Sequence, residues 1–147
     1  MATDALSPYL VVNGADRAIA YYTRVFGARE SYRLSWPDGR VGHAELRIGE
    51  ALLMLADEHP DFGALGPASI GGTPVSLLLY VDDADAVLAL GEEAGGTILR
   101  AAKDEFYGDR TGMLLDPFGH KWHLSTRRES LSVEDIQQRW QKVLADG

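Results

Sequence analysis

The sequence predicts an α+β protein built from two βαβββ modules that form curved mixed sheets around a cleft, and three observations predict it. The chain repeats on itself at an offset of 69 residues: Val12 falls on Val81, Ala15 on Ala84, Asp16 on Asp85, Ala20 on Ala89 and Gly27 on Gly96. Each copy opens on a short run rich in β-formers, continues with apolar residues at helical spacing that stop at glycine, and closes with further strand-like runs. With 147 residues, 46% of them hydrophobic, the chain is one domain by length and can bury about two thirds of its unfolded surface.

The elements follow in order. Residues 7–12 are apolar and β-forming, which predicts the first strand. After Asn13-Gly14, the residues Ala18, Ile19, Tyr22, Val25 and Phe26 recur at helical spacing before Gly27, which predicts a helix. Residues 30–35 and 41–48 flank Trp36-Pro37-Asp38-Gly39, where proline fixes one dihedral and glycine supplies a positive φ, so they read as two strands joined by a turn. Gly49-Glu50 allows a reversal into a fourth strand at 51–56, and the first module spans about 5–57. Residues 58–73 carry Pro60, Gly63, Gly66, Pro67, Gly71 and Gly72, a breaker density that suits a linker and not a regular element. The second module, about 74–127, repeats the pattern: a strand at 75–81, a helix at 84–94 ended by Gly95-Gly96, and strands near 97–103, 110–115 and 121–126. In a last helix, about 131–145, Ile136, Trp140, Val143 and Leu144 form one apolar stripe with a capping serine upstream. That stripe is expected to pack on the body of the protein or on a second subunit.

Composition narrows the function classes. Twenty-two acidic residues against 14 Lys and Arg leave a net charge of −8. The cations are scattered singly, so no basic stripe is available to neutralise phosphates, and neither nucleic acid nor an anionic membrane is an expected partner. No apolar stretch approaches the roughly 20 residues needed to cross a bilayer, and 1–7 lacks the charged and apolar regions of a secretion signal, so a cytoplasmic location is expected. The absence of cysteine excludes a disulfide framework, a thiolate metal site and a cysteine nucleophile. No Gly-x-Ser-x-Gly elbow or phosphate loop is present, which leaves hydrolase and kinase chemistry without support.

Strand alternation separates two faces. Leu10, Val12, Leu46, Ile48, Leu53, Leu55, Leu77, Leu79, Val81, Trp122 and Leu124 are expected to pack against the helices. The opposite face collects Ser7, Tyr9 and Val11, then His43, Glu45 and Arg47, Leu52 and Met54, Ser76, Leu78 and Tyr80, and finally Lys121 and His123. A mixed polar and aromatic face curved into a groove suits a small molecule, whereas the plainer reading is the solvated side of an open sheet. Glu45 and Arg47 would also pair simply as neighbours.

The paired modules and the segment Asp116-Pro117-Phe118-Gly119-His120-Lys121-Trp122 resemble the vicinal oxygen chelate superfamily, which includes glyoxalase I, bleomycin resistance proteins and extradiol dioxygenases. Tyr107-Gly108-Asp109-Arg110-Thr111-Gly112 ahead of that segment is similar to the PhnB-like, glyoxalase-like branch. The resemblance covers almost the whole chain. It implies homodimers and, in metal-dependent members, a divalent cation held by the first and last strands of each half, at positions 7, 54, 76 and 123 here. The internal offset agrees, since Ser7 falls on Ser76 and Met54 on His123. Serine hydroxyls and a thioether are poor ligands for a hard or borderline cation, so no metal or other cofactor is expected. A rival set of His43, Glu45 and His123 has the ligand types of an iron facial triad, but it needs a fortunate geometry.

Without a metal, three readings stand, the first preferred. The resemblance to bleomycin resistance proteins implies binding of a planar drug without turnover, in a cleft for which Ser7, Tyr9, Trp36, His43, Glu45, Met54, Ser76, Tyr107 and His123 are the candidate residues. Tyr32, Tyr80 and Phe106 add rings, and Glu45 with the acidic field would favour a cationic ligand. In the second reading His123 acts as general base or acid, with Glu45 nearby, on a small carbonyl compound or a strained ring. A third, a vestigial groove in a protein that works through contacts, would use Trp140 as a dimer anchor.

Overall fold

Every element that alternation and helical spacing predict is present in the computed structural model, which describes residues 5–147. Met1 to Asp4, on which the reading of the chain start partly rests, lie outside the described residues. Strand β1 (Tyr9–Val12) leads into helix α1 (Ala15–Phe26), followed by β2 (Arg29–Ser35), β3 (Val41–Ile48) and β4 (Ala51–Asp57). After a short helix α2 (Pro67–Ile70), the pattern recurs as β5 (Ser76–Tyr80), α3 (Ala84–Glu93), β6 (Thr97–Asp104), β7 (Asp109–Leu115) and β8 (Lys121–Arg127), and α4 (Val133–Asp146) ends the chain. The sheets have the same order, β1-β4-β3-β2 and β5-β8-β7-β6, with the outer pair β1·β4 or β5·β8 parallel and the other pairs antiparallel. Among the described residues no helix is long and apolar enough to cross a membrane.

The chain divides into two compact units. One runs through Pro74 and takes in Pro117–His120, and the other consists of Val75–Asp116 and Lys121–Gly147. In the first, Leu10, Val12, Ala44, Leu46, Leu53 and Leu55 are buried on one face of the sheet, with Ala18, Ile19, Tyr22 and Val25 of α1. In the second, Leu114, Trp122 and Leu124 are buried with Ala84 and Leu88 of α3. Leu77 and Leu79 on β5 are only half-buried, because α3 packs across β6, β7 and β8 and leaves β5 aside.

The repeat is anchored by one device used twice. Asp57 closes β4, and its Oδ1 accepts hydrogen bonds from the Gly14 and Ala15 amides at 2.9 and 2.8 Å, which satisfies two orphan donors at the start of α1. Its Oδ2 accepts from the Val41 amide at 2.7 Å and so fixes the start of β3. At the offset position, Thr126 on β8 accepts from the Ala84 amide at 2.8 Å, and Asp83 caps the same helix through the Ala86 amide. The helices end differently. Gly27 takes a left-handed conformation and returns its amide to Tyr22, whereas α3 ends on Ala94.

Two readings of the sequence need correction. The breaker-rich linker is not free of regular structure: it holds a 3₁₀ turn at Pro60–Phe62 and α2, each with proline in its first turn and a left-handed glycine, Gly63 or Gly71, at its end. The prolines and glycines there punctuate single helical turns instead of preventing them. The turn 117–120, read as part of the second module, packs with the first unit. Phe118 lies edge-on to Tyr21 and Tyr22 of α1, and His120 Nε2 is 3.0 Å from the Val11 carbonyl. Gly119, at φ +94°, lets the turn lie against Pro67, where a Cβ would meet the proline at 2.7 Å. The flanking residues are pinned separately, since the buried Trp122 indole donates to the buried Asp116 carboxylate at 3.0 Å.

Removing the Asp57 carboxylate leaves three backbone donors without their acceptor, so Asp57→Ala is expected to lower unfolding stability by about 2–3 kcal/mol in denaturant titration. Gly112→Ala would drive a Cβ into Leu88 and to within 2.9 Å of the Ala102 amide nitrogen and the Arg100 carbonyl oxygen on β6. Overpacking against backbone costs about 3 kcal/mol, and this variant is expected to melt far below the wild type.

Candidate functional site

The open face of the first sheet carries a connected polar chain. Strand register aligns Tyr9 with Met54, Met54 with Glu45 and Glu45 with Tyr32, a row that crosses all four strands, and His43 sits two residues before Glu45 on β3. Tyr32 Oη donates to Glu45 Oε2 at 2.9 Å, His43 Nε2 lies 2.9 Å from the same oxygen, and His43 Nδ1 lies 2.8 Å from Tyr9 Oη.

Protonation assigns the roles. Hydrogen bonds first from His43 and then from Tyr32 hold the Glu45 carboxyl below the usual glutamate range, against the opposing effect of burial. An ionised carboxylate only accepts, so Nε2 of His43 donates to it, while Nδ1 of the same ring meets the Tyr9 hydroxyl. Donation to Glu45 raises the Tyr32 phenol above the ordinary tyrosine range, while burial and then the Glu45 charge raise Tyr9. Both phenols therefore stay protonated at neutral pH. Both bonds to Glu45 end on Oε2, which leaves Oε1 without a protein partner among the described residues. The Tyr9 and Tyr32 rings flank the group and are 48% and 45% exposed, so a ligand can reach them.

In the second unit His123 Nε2 lies 3.0 Å from Ser76 Oγ, so the two positions from this half do meet. Burial, followed by the charge of Arg100, lowers the His123 pKa and keeps its ring neutral. In the first unit Ser7 precedes β1, and the Met54 amide donates to the Pro8 carbonyl at 3.1 Å. The donor set at these positions is two hydroxyls, a thioether and one imidazole, and it does not fit the divalent cation that the superfamily implies. Within either unit no three His, Asp or Glu side chains among the described residues gather in a metal-binding group.

The other candidates lie elsewhere. Trp36 tilts against His59 at 5.7 Å between ring centroids, and its indole nitrogen crowds Gly42, so its neighbours are the ring pair His59–Phe62 and not Tyr9. Tyr107 meets Phe106, which in turn meets Trp140 of α4. Tyr107 also lines a cavity of about 320 Å³ with Tyr80, Asp109, Arg127 and Glu129, where the Arg127 guanidinium lies 4.7 Å over the Tyr80 ring. The sequence reading offered Tyr32 only as an additional ring, whereas its place opposite Glu45 follows from pairing β2 with β3.

The sequence model of the "Glyoxalase/Bleomycin resistance protein/Dioxygenase superfamily" matches residues 4–124. An uncharacterized protein of Mycobacterium bovis is 42% identical over 136 residues, which is 90% of either chain. Two solved structures share the fold. The fosfomycin resistance protein FosX of Listeria monocytogenes superposes with a TM-score of 0.68 at 13% identity, covering 92% of this chain and 99% of that one. The PhnB protein of Bacillus cereus does so with 0.63 at 18%, covering 84% and 99%.

The pKa directions set the pH behaviour of the chain Tyr9–His43–Glu45–Tyr32. Because the Glu45 value is lowered by folding, its contribution is present above the ordinary glutamate pKa and is lost as pH falls through the folded value. The tyrosine values are raised, so their contribution is complete below the ordinary phenol pKa and is lost as pH rises through the folded values. Glu45→Gln removes the charge behind both limbs. Ultraviolet difference titration is expected to show two late-titrating phenols in the wild type that shift down in this variant.

Proposed function

The chain belongs to the glyoxalase/bleomycin resistance protein/dioxygenase superfamily, and from that premise we propose that it binds a small organic molecule on its open sheet surface, without a metal ion and without turnover. The connected chain Tyr9–His43–Glu45–Tyr32 carries the reading. It fixes two rings and one carboxylate in defined protonation states before any ligand arrives, which limits the ordering cost of binding. The flat, half-exposed rings suit a planar ligand, and Glu45 Oε1, which has no protein partner among the described residues, suits a cationic or N–H-bearing edge. Metal independence rests on the donor chemistry of Ser7, Met54 and Ser76. FosX, which shares the fold, is described as a resistance protein, in keeping with an antibiotic-like ligand.

The same reading makes the protein a cytoplasmic homodimer. The apolar stripe of α4 supports that expectation, since Trp140 is 45% exposed and Val143 and Leu144 are exposed beside it. Catalysis by His123 is the second reading, and the observation in its favour is a neutral imidazole already bonded to a serine hydroxyl.

Thermal-shift titration with a panel of planar antibiotics, and separately with 2-oxo compounds, tests these readings. A planar antibiotic is expected to raise the melting temperature, Glu45→Gln and Tyr9→Phe each to weaken that binding about tenfold, and His123→Ala to leave it intact. Conversion of a 2-oxo compound that His123→Ala abolishes would reverse the order of the two readings.

A further inference from the structure

The second sheet carries cations on its open face. Register places Ser76 beside Lys121, and aligns Leu78, His123, Met113 and Arg100 in one row across β5, β8, β7 and β6. Lys121 and His123, two apart on β8, share this face. We propose that this face is a binding site for the oxyanion of a small organic acid, with Arg100 and Lys121 supplying charge, Ser76 and His123 supplying hydrogen bonds, and Leu78 and Met113 receiving the apolar body of the acid.

Three observations carry it. First, Arg100 and Lys121 have no carboxylate partner among the described residues, although the chain holds 22 acidic residues against 14 Lys and Arg. Arg33, Arg110 and Arg139 each hold at least one carboxylate within 2.9 Å. Two cations on one face with no carboxylate beside them leave positive charge there for an anion to meet. Second, four carboxylates on or beside this sheet are engaged by other cations: Asp85 and Asp104 with Arg110, Glu105 with Lys103, and the buried Asp109 with Arg127 at 3.9 Å. Third, the groups present are donors or accept a donor role without rearrangement. The hydroxyl and the imidazole are held together at 3.0 Å, and His123 Nδ1 has no protein partner among the described residues. The row is not a bare charge patch, because Leu78, 53% exposed, and Met113 flank His123 with apolar side chains that suit an alkyl or aryl acid.

The inference stands on the second unit alone and does not depend on the first-sheet reading. Glu45→Gln, which would damage the first-sheet site, is expected to leave it untouched. The test uses the full chain and three probes of similar shape: benzoate, the neutral isostere benzamide, and phenyl phosphate. His123 ring resonances in an NMR titration report occupancy.

Benzoate or phenyl phosphate is expected to give a saturable shift at millimolar concentration, with benzamide at least about tenfold weaker, and the tighter of the two anions identifies the oxyanion preferred. Arg100→Gln and Lys121→Gln are each expected to weaken binding several-fold, the double variant to abolish saturation, and added salt to weaken binding in the wild type. Lys142→Gln, on α4, is expected to change nothing. Equal binding of benzamide and the anions, no saturable shift with either anion, or undiminished binding by a folded Arg100→Gln/Lys121→Gln protein would overturn the proposal.

Discussion

A single carboxylate at the end of β4 sets the frame on which the rest of the first unit depends. Asp57 reaches the start of α1 and the start of β3 together, so the helix cannot shift over the sheet without breaking charge-assisted bonds to backbone donors. With α1 fixed, Leu10, Leu46, Leu53 and Leu55 must face it, and alternation then sends Tyr9, Glu45 and Met54 to the other side. The polar row is thus a consequence of where the helix sits. Thr126 repeats the anchor in the second unit with a hydroxyl in place of a carboxylate, and the same alternation sends Lys121 and His123 to the open face while Trp122 and Leu124 are buried.

Duplication fixed the scaffold and left the two open faces free to diverge. The first sheet keeps a carboxylate, an imidazole and two phenols in one bonded chain, whereas the second keeps a serine, a histidine and two cations without acidic partners among the described residues. Equivalent positions have acquired different chemistry: Met54 stands where the second copy has His123, and both copies keep serine at 7 and 76. Of the four positions only His123 offers the nitrogen or carboxylate donor that a divalent cation requires. What each half offers is hydrogen bonding and charge, which suits recognition of organic functional groups.

Much of this was legible in the sequence because the governing periods are local. The spacing of Ala18, Ile19, Tyr22 and Val25 against Gly27 defines α1, and alternation along β3 puts His43 and Glu45 together on one face. The resemblance further placed Ser76 and His123 in one site, and the two side chains do touch. What was not legible depends on contacts distant in sequence. No local pattern shows that the Asp-Pro-Phe-Gly-His turn would leave its own module to pack against Tyr21 and Tyr22. Nor does one show that Trp36 would lean on His59. The linker misled because proline and glycine, which end long elements, also begin and end single helical turns.

The account rests on polar side chains having taken over the work of a cation on this scaffold, and metal analysis tests that most directly. The protein would be purified without chelator, equilibrated with manganese, nickel, zinc or ferrous iron, dialysed against metal-free buffer, and its ion content measured per chain. The account predicts content well below one ion per chain for every metal and no difference between wild type and His123→Ala. Retention of one ion per chain that His123→Ala releases would contradict it.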